Sequence, residues 1–311
     1  MIKKKFRGVV VPMITPVTKE GRMDTAAAGR IMERFFRNGI SPLVLGTTGE
    51  SASVSDSDAC ELMQAAVEAR NRLNEAAGKA DHPFRQQVYA GLVGNRVGDL
   101  IEQGKRYAEM GVDAVVSTLP SYYILTEAQM KQFYLTLADA LTAPLFMYNI
   151  KATTQMSIPL ETAVELSRHP NIAGLKDSER DEEKLRRSIE AFAPREDFSF
   201  FCGWGAQGAA SLKLGADGIV PSTGNVVPEL YGLLYKAFEA GDAAEADRLQ
   251  ALTDRVAVVY QKGRTLGQSL SALKILMKSE GLCETYMVPP LTVLPEQEAE
   301  NIVSQFRLLD L

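Results

Sequence analysis

The chain has 311 residues, of which 46% are hydrophobic and 23% charged, and its formal net charge is −5. Such a composition describes a soluble globular protein with enough apolar residues for a sizeable core, and its length fits one large domain or two ordinary ones. An acidic balance without a basic stripe argues against nucleic-acid binding, yet leaves room for an anionic small molecule in a locally positive site.

The N-terminus, Lys3-Lys4-Lys5 followed by apolar residues from Gly8 to Ile14, imitates the start of a secretory signal. The apolar run is short, contains Pro12 and leads into Lys19-Glu20-Gly21-Arg22 without a small-residue cleavage site, so a first β-strand is the better reading. No segment approaches the roughly 18 apolar residues of a membrane span, and no membrane association is expected. Cys60, Cys202 and Cys283 are odd in number and scattered, which fits a reducing cytoplasm and no structural zinc. With only His82 and His169, a histidine-based triad or metal site is nearly excluded by inventory.

Short apolar runs occupy residues 8–16, 42–46, 87–92, 114–120, 144–149, 172–178, 198–204 and 218–223. Amphipathic stretches of helix length separate them, for example 24–38, 56–73 and 97–110. Strands alternating with helices imply parallel βαβ units, and eight such units predict an α/β fold, the (β/α)8 TIM barrel. An open doubly wound sheet shares this alternation, because periodicity does not report closure. The polar segment 77–86 is expected as a surface loop on the face away from the active site. An eighth helix over 228–240 is followed by helical patterns at 243–262, 267–280 and 296–309, with no composition shift to mark a linker. The expected organisation is a catalytic barrel over 1–240 and a C-terminal helical extension over 241–311 packed on it.

In a barrel of this kind the active site collects at the C-terminal ends of the strands. Those ends carry Gly46-Thr47-Thr48-Gly49-Glu50, Pro120-Ser121-Tyr122-Tyr123, Tyr148-Asn149, Lys176 and Pro221-Ser222-Thr223-Gly224-Asn225. The set is rich in hydroxyls and amides around one lysine and has no convergent carboxylates or imidazoles. It is poorly equipped for Mg²⁺ or Zn²⁺, and neither a metal nor another cofactor is expected. It suits Schiff-base chemistry, in which a lysine amine attacks a carbonyl and a tyrosine moves protons. A lysine amine is almost wholly protonated at neutral pH unless burial favours its neutral form, and Ile172 and Leu175 around Lys176 would provide that burial.

Each element also has a plainer reading. Lys176 alone reads equally as a lysine snorkelling to solvent, and Tyr148 as core filling. Thr47-Thr48-Gly49 reads as a turn with positive φ at Gly49 and a threonine cap, or as a nest of amides and hydroxyls for a carboxylate. Gly203-Trp204-Gly205-Ala206-Gln207-Gly208 spells a dinucleotide-binding fingerprint, but only one strand follows it, where that fold needs more. A phosphate site there is a second reading, which no neighbouring arginine supports.

Gly46-Thr47-Thr48-Gly49-Glu50-Ser51, Tyr148-Asn149-Ile150, Gly174-Leu175-Lys176-Asp177 and Gly215-Ala216-Asp217-Gly218-Ile219-Val220 together resemble the dihydrodipicolinate synthase and N-acetylneuraminate lyase superfamily of class I, pyruvate-dependent aldolases. The resemblance implies that Lys176 forms an imine with C2 of pyruvate or another 2-oxo acid and that Tyr148 shuttles protons. It implies that Thr47, Thr48 and Gly49 hold the substrate carboxylate, with Thr48 also bonding Tyr148, and that the Val220 carbonyl faces the substrate end of Lys176. It further implies a tyrosine donated across a subunit interface, at Tyr122 or Tyr123, in a homotetramer built as a dimer of dimers. One departure bears on the substrate. Synthases of this family follow Tyr-Asn-x with proline and, two residues later, an arginine for the carboxylate of aspartate semialdehyde; here Lys151 and Thr153 stand there. Thr153 and Ser222 suit hydroxyls better, which favours a lyase for a hydroxylated 2-oxo acid such as a 2-keto-3-deoxy sugar acid or sialic acid, releasing pyruvate and an aldehyde. The alternative is 4-hydroxy-tetrahydrodipicolinate synthase, which condenses pyruvate with aspartate semialdehyde and for which Lys151 would supply the cation.

Overall fold

The computed structural model describes residues 4–80 and 83–311. Eight parallel strands close into a barrel in sequence order: β1 (Gly8–Pro12), β2 (Ile40–Val44), β3 (Tyr89–Leu92), β4 (Ala114–Thr118), β5 (Leu145–Asn149), β6 (Ile172–Asp177), β7 (Ser199–Cys202) and β8 (Gly218–Ile219), with β8 pairing back onto β1. The open-sheet alternative is thereby excluded. The connecting helices are α1 (Thr25–Arg37), α2 (Asp56–Lys79), α3 (Val97–Met110), α4 (Glu127–Ala140), the short α5 (Lys151–Thr154), α6 (Leu160–Leu166), α7 (Glu182–Phe192), α8 (Gly208–Leu214) and α9 (Pro228–Glu239). The chain then forms α10 (Ala243–Gln261), α11 (Leu266–Ser279) and α12 (Glu296–Arg307). None of the described helices is long and apolar enough to cross a membrane.

Local chemistry sets the helix starts. Asp24, Ser55, Asp181 and Asp242 each accept a backbone N–H as N-caps, and Thr126 and Thr265 form capping boxes with Gln129 and Gln268. Several boundaries differ from expectation, among them that of the eighth strand, which ends at Ile219 before a helical turn over Ser222–Asn225. The first strand ends at Pro12, because beyond it the chain is held by a side chain: Asn225 Nδ2 donates to Pro12 O and its Oδ1 accepts from Ile14 N. The second strand runs from Ile40 to Val44 and stops where Leu45 turns left-handed, φ 57°. The second helix continues to Lys79, so the polar stretch expected as a loop is partly helical; its Asp81 and His82 lie outside the described residues.

The core divides into two layers, as a closed barrel requires. One set of strand residues, with the helices, fills the outer shell, while Phe6, Val10, Leu43, Tyr89, Ala114, Val116, Phe146, Tyr148, Phe201 and Val220 fill the interior. Within it, the rings of Phe6, Tyr89, Phe146 and Phe201 meet with centroids 5.2–6.0 Å apart, mostly tilted or edge-on. Gly174 makes room for this plug, since a Cβ there would lie 2.2 Å from the Phe146 ring. The aromatic layer closes the barrel beneath the next inward layer, which contains Tyr148 and Lys176.

Candidate active site

Tyr148 and Lys176 are register partners on adjacent strands β5 and β6, and both side chains are buried, 4% exposed each. The Lys176 Nζ lies 3.7 Å from the centroid of the Tyr148 ring. Among the described residues no carboxylate forms an ion pair with Lys176. The plainer sequence reading, a lysine reaching to solvent, does not describe it. Burial acts to raise the Tyr148 phenol pKa, but the Lys176 charge and hydrogen bonds with Thr47, Lys176 and Ser178 outweigh it and bring the phenol below its ordinary value.

Thr47 Oγ1 and Tyr148 Oη are 3.3 Å apart. The hydroxyl that meets the tyrosine is therefore that of Thr47, not of Thr48 as the family resemblance implied; Thr48 is buried in the same turn. The turn is also built differently from the sequence reading. Gly49 does not adopt positive φ; the left-handed residues are Leu45 (φ 57°) and Glu50 (φ 55°), one on each side of the threonines. Gly49 is instead required by crowding, since a Cβ would sit 3.0 Å from the Met13 carbonyl. Gly91 serves Leu45 in the same way, because a Cβ there would lie 2.0 Å from the Leu45 oxygen.

Left-handed backbone at two non-glycine residues has to be held by its surroundings. Glu50 supplies the hold. Its carboxylate is fully buried, lies 2.5 Å from the Lys274 Nζ of α11 and accepts from Val288 N at 2.8 Å. The Lys274 ammonium also donates to Tyr286 O, and burial lowers its pKa despite the opposing effect of Glu50. Neither residue received a role from sequence. The signal was present, because Leu273-Lys274-Ile275-Leu276 is as apolar a setting as the one around Lys176.

The ends of β5 and β6 are fixed from outside the barrel. Asn149 Nδ2 donates to Asp177 Oδ1 and to Glu179 Oε2, and Asn149 Oδ1 accepts from Ile158 N. Lys184 adds hydrogen bonds to Ser157 and Glu179 at 2.7 Å. Burial, acting to raise the Glu179 pKa, is outweighed by Lys184, Ser157 and Asn149, and the carboxyl is held down at about 2. Lys151 joins this cluster, 3.3 Å from Glu179 Oε1 and largely exposed, so its charge is directed to Glu179.

Other expected site residues are distributed as follows. Thr153 is half-buried in α5 and donates its hydroxyl to Ile150 O. The Ser222 and Thr223 hydroxyls meet Tyr260 Oη of α10 at 2.8 and 3.0 Å, so Ser222 is engaged by a residue that sequence reasoning passed over. Val220 is buried in the interior layer with Tyr148 and Phe201. Tyr122 and Tyr123 stand 77% and 73% exposed in an edge-to-face pair, on a loop whose Ser121 and Tyr122 amides both donate to Asn95 Oδ1. Two glycines of the dinucleotide-like run, Gly203 and Gly208, serve packing, whereas a Cβ on Gly205 would meet nothing. A Cβ on Gly203 would meet Ser178 Oγ at 2.1 Å and one on Gly208 would meet Gln250 Oε1 at 2.8 Å, and that same oxygen accepts from Ala209 N at the start of α8.

A cavity of about 300 Å³ lies at the C-terminal end of the barrel and reaches Thr47. Thr153 and Ser121 line it from the strand-end loops, and Leu266, Leu270 and Leu291 from the C-terminal segment. Among the described residues its lining contains no lysine, arginine or histidine, and Glu50 is its one acidic residue.

The dihydrodipicolinate synthetase family model matches residues 5–307. A relative named 4-hydroxy-tetrahydrodipicolinate synthase, from Corynebacterium aurimucosum, is 29% identical over 96% of this chain and 92% of its own. Among solved structures, the dihydrodipicolinate synthase of Bacteroides thetaiotaomicron superposes with a TM-score of 0.88 at 27% identity, covering 98% of this chain and 99% of that one. The dihydrodipicolinate synthase of Acinetobacter baumannii, solved with pyruvate, superposes with a TM-score of 0.85 at 25% identity, covering 98% and 99%.

Proposed function

The chain belongs to the dihydrodipicolinate synthetase family of class I, pyruvate-dependent carbon–carbon lyases and synthases, and from that premise we propose that Lys176 is its Schiff-base nucleophile. The observation that carries this reading is the buried Lys176 amine, without an acid partner among the described residues, over the ring of a tyrosine whose hydroxyl meets Thr47. The neutral amine adds to C2 of pyruvate, Tyr148 passes a proton to the departing hydroxyl, and loss of water leaves the imine. Loss of a C3 proton gives the enamine, whose C3 attacks the aldehyde carbon as the aldehyde oxygen takes up a proton. Hydrolysis of the new imine frees the product and the amine, and the reverse sequence is the lyase reaction. The amides and hydroxyls around Thr47 and Thr48 hold the 2-oxo acid carboxylate, and the Val220 carbonyl faces the substrate end of Lys176.

The preferred reaction is cleavage of a hydroxylated 2-oxo acid of the keto-deoxy sugar acid or sialic acid type. Support comes from the neutral hydroxyl of Thr153 and from the direction of Lys151 towards Glu179, which leave no cation in the cavity for a second carboxylate. The names of the relatives favour the second reading, condensation with aspartate semialdehyde. The exposed Tyr122–Tyr123 pair is suited to burial against another copy of the chain, in the dimer-of-dimers arrangement. Borohydride with pyruvate should trap a covalent adduct on a peptide containing Lys176. Absence of an adduct with any 2-oxo acid would overturn the Schiff-base assignment, and efficient condensation with aspartate semialdehyde without pyruvate release from sugar-derived acids would overturn the lyase preference.

A further inference from the structure

The cavity that reaches Thr47, the hydroxyl partner of Tyr148, has two unlike walls. Thr47, Ser121 and Thr153 present hydroxyls on the barrel side, whereas Leu266, Leu270 and Leu291 face it from the C-terminal segment. The Thr153 hydroxyl spends its proton on the Ile150 carbonyl and retains lone pairs that can accept, while Thr47 is shared with Tyr148. The leucine wall depends on Gly267, since a Cβ there would lie 2.8 Å from Leu291 Cδ2 and push that side chain off the first turn of α11. Leu266 is 49% exposed at the same turn, a large apolar side chain left at the rim of the cavity.

We infer that the aldehyde half of the substrate is an uncharged hydroxyaldehyde with a hydrocarbon end, its hydroxyls near the carbonyl on the threonine side and its terminal methyl or alkyl group against Leu266, Leu270 and Leu291. This rests on the Schiff-base reading of Lys176 and narrows its substrate class. A second carboxylate entering the cavity would lose hydration and meet no cation. A terminal hydroxyl against the leucines would be desolvated without a partner, while a methyl group there gains contact.

The test is condensation with pyruvate using aldehydes that differ at one end only: 2,3-dihydroxybutanal, its terminal-hydroxyl counterpart threose, and succinic semialdehyde. The kcat/KM for 2,3-dihydroxybutanal should exceed that for threose roughly tenfold, within the range one group in an apolar pocket supplies. It should exceed that for succinic semialdehyde by more. Leu266→Ser and Leu291→Ser, both at incompletely buried positions, should erode the preference while pyruvate–borohydride trapping at Lys176 stays unchanged. Equal or better turnover of threose or succinic semialdehyde with trapping intact overturns this inference and leaves the Schiff-base reading standing. Loss of trapping itself overturns the reading beneath it.

Discussion

The two ends of the barrel each bury a lysine, and the two are treated in opposite ways. At the N-terminal end Lys4, 6% exposed, donates to the Phe192 and Phe198 carbonyls and to Asp217 Oδ2, all at 2.8–2.9 Å. Every proton of its ammonium has a partner, and the group closes the barrel mouth. At the C-terminal end Lys176 is as buried but meets an aromatic face and, among the described residues, no acid. Lys274 shows the first treatment again, held by Glu50 and the Tyr286 carbonyl. Burial alone therefore does not set Lys176 apart from Lys4 and Lys274; burial beside Tyr148 without an acid partner among the described residues does, and the proposed nucleophile role rests on that difference. The aromatic plug separates Lys4 from Lys176, with Phe6 beside its N-terminal entry and Tyr148 above.

Exchanging lysines one at a time should break the comparison if it is wrong. Lys176→Met should abolish imine trapping and lower turnover by at least about 10⁴-fold, as loss of a covalent nucleophile does, while thermal unfolding changes little. Lys4→Met should do the reverse, costing on the order of 3–5 kcal/mol in urea unfolding because Asp217 is left buried without its counter-charge, with trapping retained. Adding Asp217→Asn to Lys4→Met should recover part of that loss. If Lys4→Met abolished trapping in a folded protein, the separation of the two ends would fail.

Smaller effects sharpen the picture on the reactive side. Tyr148→Phe keeps the ring under Lys176 and removes the hydroxyl, so kcat should fall about 10²–10³-fold with the Lys176 adduct still formed, only more slowly. Lys274→Met should raise the KM for pyruvate about tenfold through the left-handed turn at Glu50, since loss of about 1.4 kcal/mol of carboxylate binding is tenfold. Pyruvate binding should be regained in part by combining it with Glu50→Gln, which removes the stranded charge. A KM left unchanged in a folded Lys274→Met protein would assign the ion pair to stability alone.

The strand pattern was legible because it is local. Alternating apolar runs and helix-length stretches are enough to count eight βα units, and the lysine and tyrosine stand at strand ends where barrel chemistry collects. Ends set by distant groups were not legible. The first strand is cut at Pro12 by Asn225, more than 200 residues away, and the second by the left-handed turn that Gly91 permits. The same holds in the site. That Thr47 rather than Thr48 reaches Tyr148 depends on which way a two-residue step in a turn faces, and spacing does not encode that direction. Glu50 with Lys274, and Ser222 with Tyr260, are pairs made by packing the C-terminal helices onto the barrel rim, where each partner alone is an ordinary residue. Lys274 nevertheless shows that the cue drawn from Lys176, a lysine among apolar residues, selects buried lysines of both kinds, and only the partner separates them.

The smallest expected effect probes that partner directly. Burial pushes the Tyr148 phenol up, the Lys176 charge pulls it down most strongly among the opposing influences, and the balance lies below the ordinary value. A tyrosinate absorbance near 295 nm should therefore grow in below pH ~10 in the free enzyme. Lys176→Met removes the largest lowering influence and leaves burial, so the same ionisation should move upward, whereas Lys4→Met should leave it in place. The stability consequence has a fixed sign: a phenol with a folded-state pKa below its unfolded value stabilises the fold fully above about pH 10, and that contribution disappears as pH falls through the lower folded value. Lys176→Met should abolish this alkaline gain in unfolding free energy. If the Tyr148 ionisation did not respond to Lys176→Met, Thr47 and Ser178 would remain as the groups that lower it.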